Sequence, residues 1–319
     1  MSPFTRQRSR SVAALGETKL IAEIKRWLST ATPKSPAGIG DDCAVLPASS
    51  QPQLITVDPV IYGEHFDDKI LARGVGAKLF NRNLSDIAAM GGRPRAALVA
   101  LAMGDDVKIE WLRDFYRSLA NLSRRHGVPI IGGDVAHQAG GFAATLTLIG
   151  EPAGKRTLTR SGADIGDWIF VTGNLGGSRL GWHWKFTPRL TEGQWLASRP
   201  EVRSMMDLSD GIAKDLSTLL PKGSRASLSE SLIPISRSAE QQGRASGKPA
   251  LHHALTDGED YELLFTVKGR TKPDTFIRAW QQQFDLRLSC IGRIEKTRSQ
   301  SSFADELNLS HYHGFEHLR

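Results

Sequence analysis

The chain has 319 residues, of which 40% are hydrophobic and 31 are glycine, and its 41 basic and 34 acidic residues give a net charge of +7. This composition predicts a soluble globular α/β protein with two domains and excludes a fibrous or disordered chain. No apolar run approaches the roughly 20 residues that span a bilayer, so we expect no membrane contact. The basic residues are densest in the first ten positions rather than along one predicted face, so we expect no nucleic-acid partner.

Alternating helices and strands are predicted over the first half of the chain. Apolar residues at helical spacing predict helices over 17–29, 75–90 and 109–126. Strands are predicted over 53–58, 96–103 and 143–150, and a glycine turn at residue 38 leads into a further strand that ends at residue 46. A short strand over 128–131 delivers Gly132-Gly133-Asp134 at its end.

Pro152 and Gly154 interrupt this pattern, so we place a boundary within 151–157 and expect domains over 1–152 and 153–319. The second domain opens with a strand and turn over 168–173. A turn that runs into a helix is predicted over 207–220, and a loop or exposed helix over 237–249. Further strands are predicted over 262–267 and 286–291.

The two cysteines, Cys43 and Cys290, lie 247 positions apart and offer no metal-ligand spacing. Cys43 stands in an apolar, strand-like run, which favours a buried free thiol over a disulfide. A reducing, cytoplasmic location is therefore expected.

Seven short motifs, most of them acidic, stand beside glycine or serine in a chain that is basic as a whole. Carboxylates that are brought together repel one another, and a site of that kind usually exists because divalent cations neutralise it. Hard oxygen ligands at several positions suit magnesium, although any single aspartate is also explained as a helix cap or a turn residue. The motifs lie at 38–42, 56–58, 63–66, 83–86, 132–134, 206–211 and 258–262.

The glycine pair Gly132-Gly133 predicts close approach of backbone N–H groups to a phosphate, with the dipole of a following helix adding to the attraction; a plain turn is the alternative. Asp207 and Asp210 are three apart at the start of a predicted helix and can face one side. Ser209 and Arg160 can add a hydroxyl and a guanidinium to the same phosphate chain. We find no Walker A loop and no credible Ser-His-Asp arrangement.

As a set, these motifs resemble the thiamine-monophosphate kinase family, within the aminoimidazole-ribonucleotide-synthetase-like (PurM-like) superfamily. The resemblance extends from Gly16 to Phe315 and is most specific at 83–90 (NLSDIAAM), 159–163 (TRSGA) and 259–264 (EDYELL). It implies an α/β (α+β) fold of two domains with ATP in a cleft between them. The first domain, a mixed sheet with helices, would bind ATP and magnesium and pair into a homodimer, and the second, an α/β domain, would complete the cleft.

The resemblance also implies a site and a reaction. ATP and several Mg²⁺ ions would act on thiamine monophosphate to give ADP and thiamine diphosphate. No side chain need act as a general base, since the attacking phosphate oxygen is already anionic and catalysis rests on alignment and charge neutralisation. The implied magnesium ligands are Asp42, Thr56, Asp58, Asp86, Asp134, Asp207 and Asp210; the implied ATP contacts are Gly133, Asp134, Arg160 and Ser209; the implied thiamine monophosphate contacts are His65, Glu259 and Phe315.

The chain departs from the family pattern at three hydroxyl positions, where it has Val57, Val135 and Ala136, and it is shorter than usual between Gly181 and Phe186. These losses predict an altered number or affinity of metal ions. They also leave two alternatives open: another ATP-using enzyme of the same superfamily, and a weakened nucleotide-binding or regulatory protein.

Overall fold

The computed structural model describes residues 2–316, which divide into two compact units. Unit 1 comprises the described residues up to Ile87 together with Arg93–Pro152, and unit 2 comprises Ala88–Gly92 together with the described residues from Ala153 onward. Over the described part of the chain, every helix is too short or too polar to cross a membrane.

Unit 1 is built on a four-stranded mixed sheet. Its strands stand in the order β1-β4-β2-β3, with β1 antiparallel to β4 and β2 parallel to β3. The strands are β1 (Leu54–Ile61), β2 (Gly92–Met103), β3 (Ile130–His137) and β4 (Phe142–Pro152), and the helices are α1 (Glu17–Leu28), α2 (Ala72–Ala89) and α3 (Ile109–His126).

One face of this sheet is covered by helices and the other is open. Phe142 of β4 lies 4.9 Å from the ring of Trp111 and 5.6 Å from that of Phe115, both on α3. On the opposite face, Ile55 and Val57 of β1 are 65% and 59% exposed. Because successive side chains of a strand point to opposite faces of the sheet, the buried and the exposed residues of β1 lie on opposite sides.

Unit 2 is built on a five-stranded sheet in the order β6-β8-β5-β9-β7, whose paired strands are antiparallel. Both faces of this sheet are covered, because each packs against its own buried apolar cluster. Ile169 and Val171 of β5 belong to the cluster on one face, and Phe170 belongs to the cluster on the opposite face. The strands are β5 (Trp168–Thr172), β6 (Val202–Asp207), β7 (Ser224–Leu228), β8 (Leu263–Val267) and β9 (Leu288–Lys296). The helices are α4 (Trp182–Lys185), α5 (Leu190–Ser198), α6 (Ile212–Asp215), α7 (Arg237–Ser246), α8 (Ala250–Thr256) and α9 (Pro273–Gln281).

The long helices of unit 1 are confirmed, including the end of α3 at Gly127, which has the left-handed conformation that glycine favours. The strand predicted to end at residue 46 is wrong: this segment is irregular, and Cys43 in it is exposed rather than buried, although both cysteines are free. The apolar residues of this segment, Ile39, Ala44 and Leu46, line a cavity instead of joining a sheet. In unit 2 the exposed-helix alternative holds for α7, whereas β6, β7, α5, α8 and α9 were not predicted.

Two predicted strand ends are also wrong. β1 continues three residues past Asp58, and Gly132-Gly133-Asp134 lie inside β3 rather than after it. The reason is strand pairing, since Asp58 stands opposite Leu146 of β4 and Gly133 opposite Val99 of β2. The chain then returns directly in β4, so the predicted helix dipole behind the glycine pair does not exist.

Candidate active site

Four polar side chains meet where β1 packs against α2. The Thr56 hydroxyl donates a hydrogen bond to the Asp86 carboxylate, and Nε of Arg82 lies 3.2 Å from the Asp58 carboxylate. Arg82 also donates from Nη1 to the Pro59 carbonyl at 2.6 Å. Thr56 and Asp58 share a face because they stand two apart on a strand, and Arg82 and Asp86 share a face because they stand four apart on a helix. The cluster combines two carboxylates, one hydroxyl and one fixed positive charge.

Val57 points away from this cluster. It lies between Thr56 and Asp58 on β1, and its side chain stands on the open face of the sheet, where it is 59% exposed. A hydroxyl residue at position 57 would also lie on the open face of the sheet. Its replacement by valine therefore removes no oxygen from the side that carries Asp58 and Asp86.

A second group lines a cavity of about 430 Å³ formed by α1, the irregular segment that includes Asp42, and β3. Asp42, Gly133 and Asp134 all line it, and the two carboxylates are exposed. A side chain at Gly133 is impossible, because a Cβ atom there would stand 1.9 Å from the Val99 carbonyl oxygen. Residue 133 is therefore restricted to glycine, and its backbone lines a cavity large enough for phosphate groups.

The acids of unit 1 thus fall into two groups. Asp58 lies on β1 and Asp134 on β3, and these strands are the two edges of the sheet. Three strand spacings separate them, about 14 Å. Within residues 2–316, no three acidic, histidine or cysteine side chains converge closely enough to hold a metal by themselves. Magnesium often takes only one or two carboxylates and completes its shell with phosphate oxygens and water, so hydroxyl-and-carboxylate donors of this kind suit it.

In unit 2, the segments 207–211 and 258–262 are joined by backbone hydrogen bonds. Leu208 N–H donates to Glu262 O at 2.9 Å, Tyr261 N–H to Leu208 O at 2.8 Å, and Glu259 N–H to Ser209 O at 2.7 Å. The contact follows from the sheet, because β6 ends at Asp207 opposite Leu263, where β8 begins. Two motifs some 50 residues apart in the sequence therefore form one surface.

The backbone of the second segment is strained. Glu259 and Tyr261 have φ angles of +54° and +52°, in the left-handed region that non-glycine residues rarely adopt. Each such residue costs on the order of 1–3 kcal/mol, and residues of this kind cluster at functional sites. Gly258, with φ +69°, must be glycine, because a Cβ there would stand 2.7 Å from the Ser209 carbonyl oxygen.

Asp215 holds the first segment in shape, and the sequence did not single it out. Its carboxylate accepts hydrogen bonds from the backbone N–H groups of Ser209 at 3.0 Å and Asp210 at 2.9 Å. Burial raises the pKa of Asp215 to about 7. A sequence signal for this role exists: Asp215 lies in the first helical turn after the motif, and an aspartate at such a position can accept hydrogen bonds from the backbone amides that precede the helix.

The C-terminal segment is bound to the same turn. Phe315 N–H donates to Asp210 O at 2.9 Å, and the Lys214 ammonium donates to Phe315 O at 2.7 Å. Lys214 also pairs with the Asp210 carboxylate at 2.8 Å. The structure therefore brings Ser209, Asp210 and Phe315 together, and the phenyl ring is 39% exposed.

The segment around α4, which the sequence marked only as shortened, packs on the strained residues. Nδ1 of His183 lies 3.4 Å from the Glu259 carboxylate, and Trp182 donates from its indole to Asp260 O at 2.8 Å. Arg189 makes two hydrogen bonds to the buried Glu262 carboxylate, at 2.8 and 2.5 Å. The sequence did not predict these aromatic and basic neighbours of the segment 258–262, because their spacing along the chain does not indicate a contact with it.

Two further predicted residues, His65 and Arg160, lie on other segments of the chain. His65 belongs to unit 1, where its ring accepts from Ile61 N–H at 3.3 Å and its carbonyl accepts from Lys78 at 2.9 Å. Arg160 belongs to unit 2 and is exposed, on a segment that reaches β6 through a hydrogen bond from Met205 N–H to Thr159 O at 2.9 Å.

The structure also contains a Ser-His-Asp array, which corrects the expectation that none exists. Ser246 Oγ lies 2.7 Å from Nε2 of His253, whose Nδ1 lies 2.9 Å from the Asp257 carboxylate. The backbone N–H groups that follow the serine are both engaged, that of Gly247 with Gly243 O and that of Lys248 with Ser246 Oγ. These two amides are therefore not available as oxyanion donors, and the array connects α7 to α8.

Comparison with known proteins identifies the class first. Residues 40–151 match the family model described as AIR synthase related protein, N-terminal domain. That match includes Asp42 and Asp134, which line the cavity, and the Thr56–Asp86 contact. This part of the chain is therefore similar to the N-terminal domain of AIR-synthase-related proteins, which have the PurM-like fold.

Full-length relatives narrow the class to one family. The thiamine-monophosphate kinase of Rhodopirellula baltica is 37% identical over 245 residues, which cover 74% of this chain and 77% of that protein. The crystal structure of the enzyme of that name from Stenotrophomonas maltophilia K279a matches with a TM-score of 0.73 at 29% identity, over 90% and 96% of the two chains. A structure of AaThiL complexed with AMPPCP and TMP matches with a TM-score of 0.68 at 27% identity, over 95% and 98%. This chain belongs to the thiamine-monophosphate kinase family.

Proposed function

We propose that this protein transfers the γ-phosphoryl group of ATP to thiamine monophosphate, giving ADP and thiamine diphosphate. The observation that carries this proposal is the likeness, over nearly the whole of both chains, to a kinase structure that holds AMPPCP and TMP. Membership of the same family supports it independently. The enzyme is thus an ATP-binding phosphotransferase of thiamine diphosphate formation.

In this reaction a phosphate oxygen of thiamine monophosphate attacks the γ-phosphorus, and the bond from that phosphorus to the oxygen of ADP breaks. The attacking oxygen is already anionic, so no general base is required. The chain contributes by holding donor and acceptor in line, for which the strained backbone at Glu259 and Tyr261 offers a rigid surface.

We assign the nucleotide phosphates and magnesium to two sets of residues. In unit 1 the set is Asp42, Thr56, Asp58, Asp86, Gly133 and Asp134, supported by the hydroxyl–carboxylate contact and by the cavity that Asp42, Gly133 and Asp134 line. In unit 2 it is Arg160, Asp207, Ser209 and Asp210, supported by the fixed turn that carries three of them. Magnesium would supply neutralisation of the phosphate charge.

The acceptor contacts we propose are His65, Glu259 and Phe315. Glu259 and Phe315 both touch the segment 207–211 through backbone hydrogen bonds, which supports a shared role. A carboxylate and an exposed ring suit the cationic thiazolium of thiamine. Trp182 and His183 belong to the same surface, because they contact Asp260 and Glu259.

We also propose that the protein is a homodimer that pairs through the open sheet face of unit 1. Ile55, Val57 and Ile61 are 65%, 59% and 37% exposed on β1, and contiguous apolar surface of this kind usually marks an interface. A cytoplasmic location is proposed from the two free thiols.

The test is a magnesium-dependent assay with ATP and thiamine monophosphate, in which thiamine diphosphate is separated by chromatography. Formation of the diphosphate in proportion to ADP supports the proposal. ADP with no diphosphate would indicate another ATP-using enzyme of the superfamily, and ATP binding without ADP would indicate a regulatory protein; either result contradicts it.

A further inference from the structure

Unit 2 has a second cavity, of about 890 Å³, at the end of its sheet away from the segment 207–211. The segment 207–211 begins where β6 ends, whereas this cavity reaches Arg203 near the start of β6 and Lys268 just after β8. Because β6 and β8 run antiparallel, the start of one and the end of the other lie at the same edge. The proposed catalytic residues play no part in lining it.

Positive charge dominates this cavity. Its lining includes five cationic side chains, those of Arg203, Lys222, Lys268, Arg270 and Arg293, and two carboxylates. Arg203 engages both carboxylates, with distances of 2.9 Å to Asp164 and 3.2 Å to Asp167. Over residues 2–316, the other four cations form no ion pair. Four uncompensated positive charges around one concavity attract a multiply charged anion.

The cavity is held in shape by buried contacts. Asp167 is buried, and its carboxylate accepts from the N–H groups of Asp164 at 2.8 Å and Gly269 at 3.2 Å, which joins the two loops that form the wall. The loops touch so closely that a Cβ atom at Gly269 would stand 2.2 Å from the Gly166 carbonyl oxygen. The positions of the lining residues are therefore set by the fold.

One of the cations is also fixed in orientation. Nε of Arg293 donates to Gly166 O at 2.9 Å, and its guanidinium lies 4.9 Å from the centre of the Trp168 ring. Arg293 lines the cavity, and a guanidinium can hold two phosphate oxygens at once. Among the described residues that line the cavity there is no aromatic side chain to stack on a nucleobase, so the cavity recognises charge rather than a base.

We propose that this cavity binds an oligophosphate, a small anion with two or more linked phosphate groups, separately from the phosphotransferase site. Free inorganic pyrophosphate or triphosphate and the phosphate tail of a nucleotide share this chemistry. Lys268 and Arg270 come from the loop after β8, Lys222 from the turn before β7, and Arg293 from β9, so that three separate parts of unit 2 contribute charge.

Isothermal titration calorimetry of the full-length protein tests this. Pyrophosphate is titrated at 0.1 M salt with EDTA present, which removes the magnesium that the proposed phosphotransferase site requires for binding phosphates. The variant Lys268→Gln/Arg270→Gln should bind roughly 10- to 100-fold more weakly, since two charge-assisted contacts are lost. Lys222→Gln, from a different loop, should weaken binding in the same direction. The matched control Arg237→Gln/Arg244→Gln removes two exposed positive charges from α7 and should leave the affinity unchanged.

Equal weakening in the α7 control and the cavity variant would overturn the proposal, because it would indicate only the overall charge of the protein. Absence of pyrophosphate binding by the wild-type protein would overturn it as well. ADP as a second titrant distinguishes the two sources: binding only of pyrophosphate supports an inorganic ligand, and comparable binding of ADP that is lost in Lys268→Gln/Arg270→Gln supports a nucleotide tail. Kinase activity should persist in all the variants, so failure of the assay for thiamine diphosphate does not bear on this result.

Discussion

At the scale of single residues, Asp86 on α2 contacts Thr56 on β1, so that two regular elements together form one polar group. Its carboxylate accepts from Thr56, which lies 30 residues earlier on β1. Neither side chain would be notable alone, because aspartates on helices and threonines in strands are common. The meeting of the two on the helix-covered face creates the paired oxygens that a cation can use.

Replacing Asp86 with Asn should lower kcat roughly 100-fold or more, because an amide retains the hydrogen bond from Thr56 but lacks the negative charge. The measurement is kcat for thiamine diphosphate formation at saturating magnesium, with thermal unfolding to verify the fold. Asp114→Asn, on the outer side of α3, is the matched control and should be nearly silent. Near-normal kcat for Asp86→Asn would remove Asp86 from the metal-binding set.

Replacing Phe315 with Ala should raise KM for thiamine monophosphate by about tenfold and leave KM for ATP unchanged, because a ring facing the thiazolium is lost. Steady-state kinetics with each substrate varied in turn measure this. Phe303→Ala, in the same C-terminal segment but beside β7 and β9, is the control. Equal effects on both substrates would argue against the ring contact.

The two cysteines should differ in reactivity. Burial raises the pKa of the Cys290 thiol to about 12, so this thiol stays protonated at pH 8, and the thiolate is the reactive form. Cys43 is exposed. A chromogenic disulfide reagent at pH 8 should label one thiol per native chain and two after unfolding, and Cys43→Ser should abolish the native label. Rapid labelling of Cys290 in the native Cys43→Ser variant would contradict this.

At the scale of elements, the buried ion pair of Arg189 and Glu262 ties the start of α5 to the start of β8. Thr172 at the end of β5 donates to the same carboxylate at 2.6 Å, so three elements converge on one side chain. Gly173 leaves no room beside it, because a Cβ atom there would stand 2.1 Å from Glu262. The pair therefore fixes the C-terminal end of the strained segment 258–262 against β5 and α5.

Removing one partner of this pair should destabilise unit 2 strongly. Arg189→Met leaves a buried carboxylate without its cation, for which about 3–5 kcal/mol is typical. Thermal unfolding followed by circular dichroism should show the loss, and KM for thiamine monophosphate should rise as Glu259 loses its support. Arg26→Met, which breaks the exposed pair with Glu23, should leave the unfolding temperature nearly unchanged. A small effect of Arg189→Met would show that packing alone supports the segment.

At the scale of the whole molecule, the open sheet face of unit 1 is the surface that the proposed dimer would bury. Val57→Asp places a charge among the exposed apolar residues of β1 on this face and should shift the protein from dimer to monomer, measured by light scattering after gel filtration. Leu232→Asp, at an exposed apolar position in unit 2, is the matched control and should leave the mass unchanged. A wild-type monomer, or a dimer unaffected by Val57→Asp, would exclude this face as the interface.

The long helices could be predicted because their apolar spacing is strong and local, as for α3, whose end at Gly127 follows from glycine alone. The short strands β6 and β7 were not predicted, since polar residues interrupt them (VRSMMD and SRASL), whereas β5 and β8 are nearly continuous apolar runs (WIFVT and LLFTV). The irregular segment around Cys43 was mistaken for a strand for a related reason: apolar residues that line a cavity look the same as apolar residues in a sheet.

The sequence by itself determined the composition of the proposed site, because Asp, Ser and Gly motifs in a fixed order indicate which residues can offer oxygen ligands or a bare backbone. Only the tertiary structure decided which of them meet. Pairing of β6 with β8 joins Ser209 to Glu259, and packing of α2 on β1 joins Asp86 to Thr56, while Asp134 lies at the opposite edge of the sheet. Contacts such as that of His183 with Glu259 depend on long-range packing, and no local pattern in the chain encodes them.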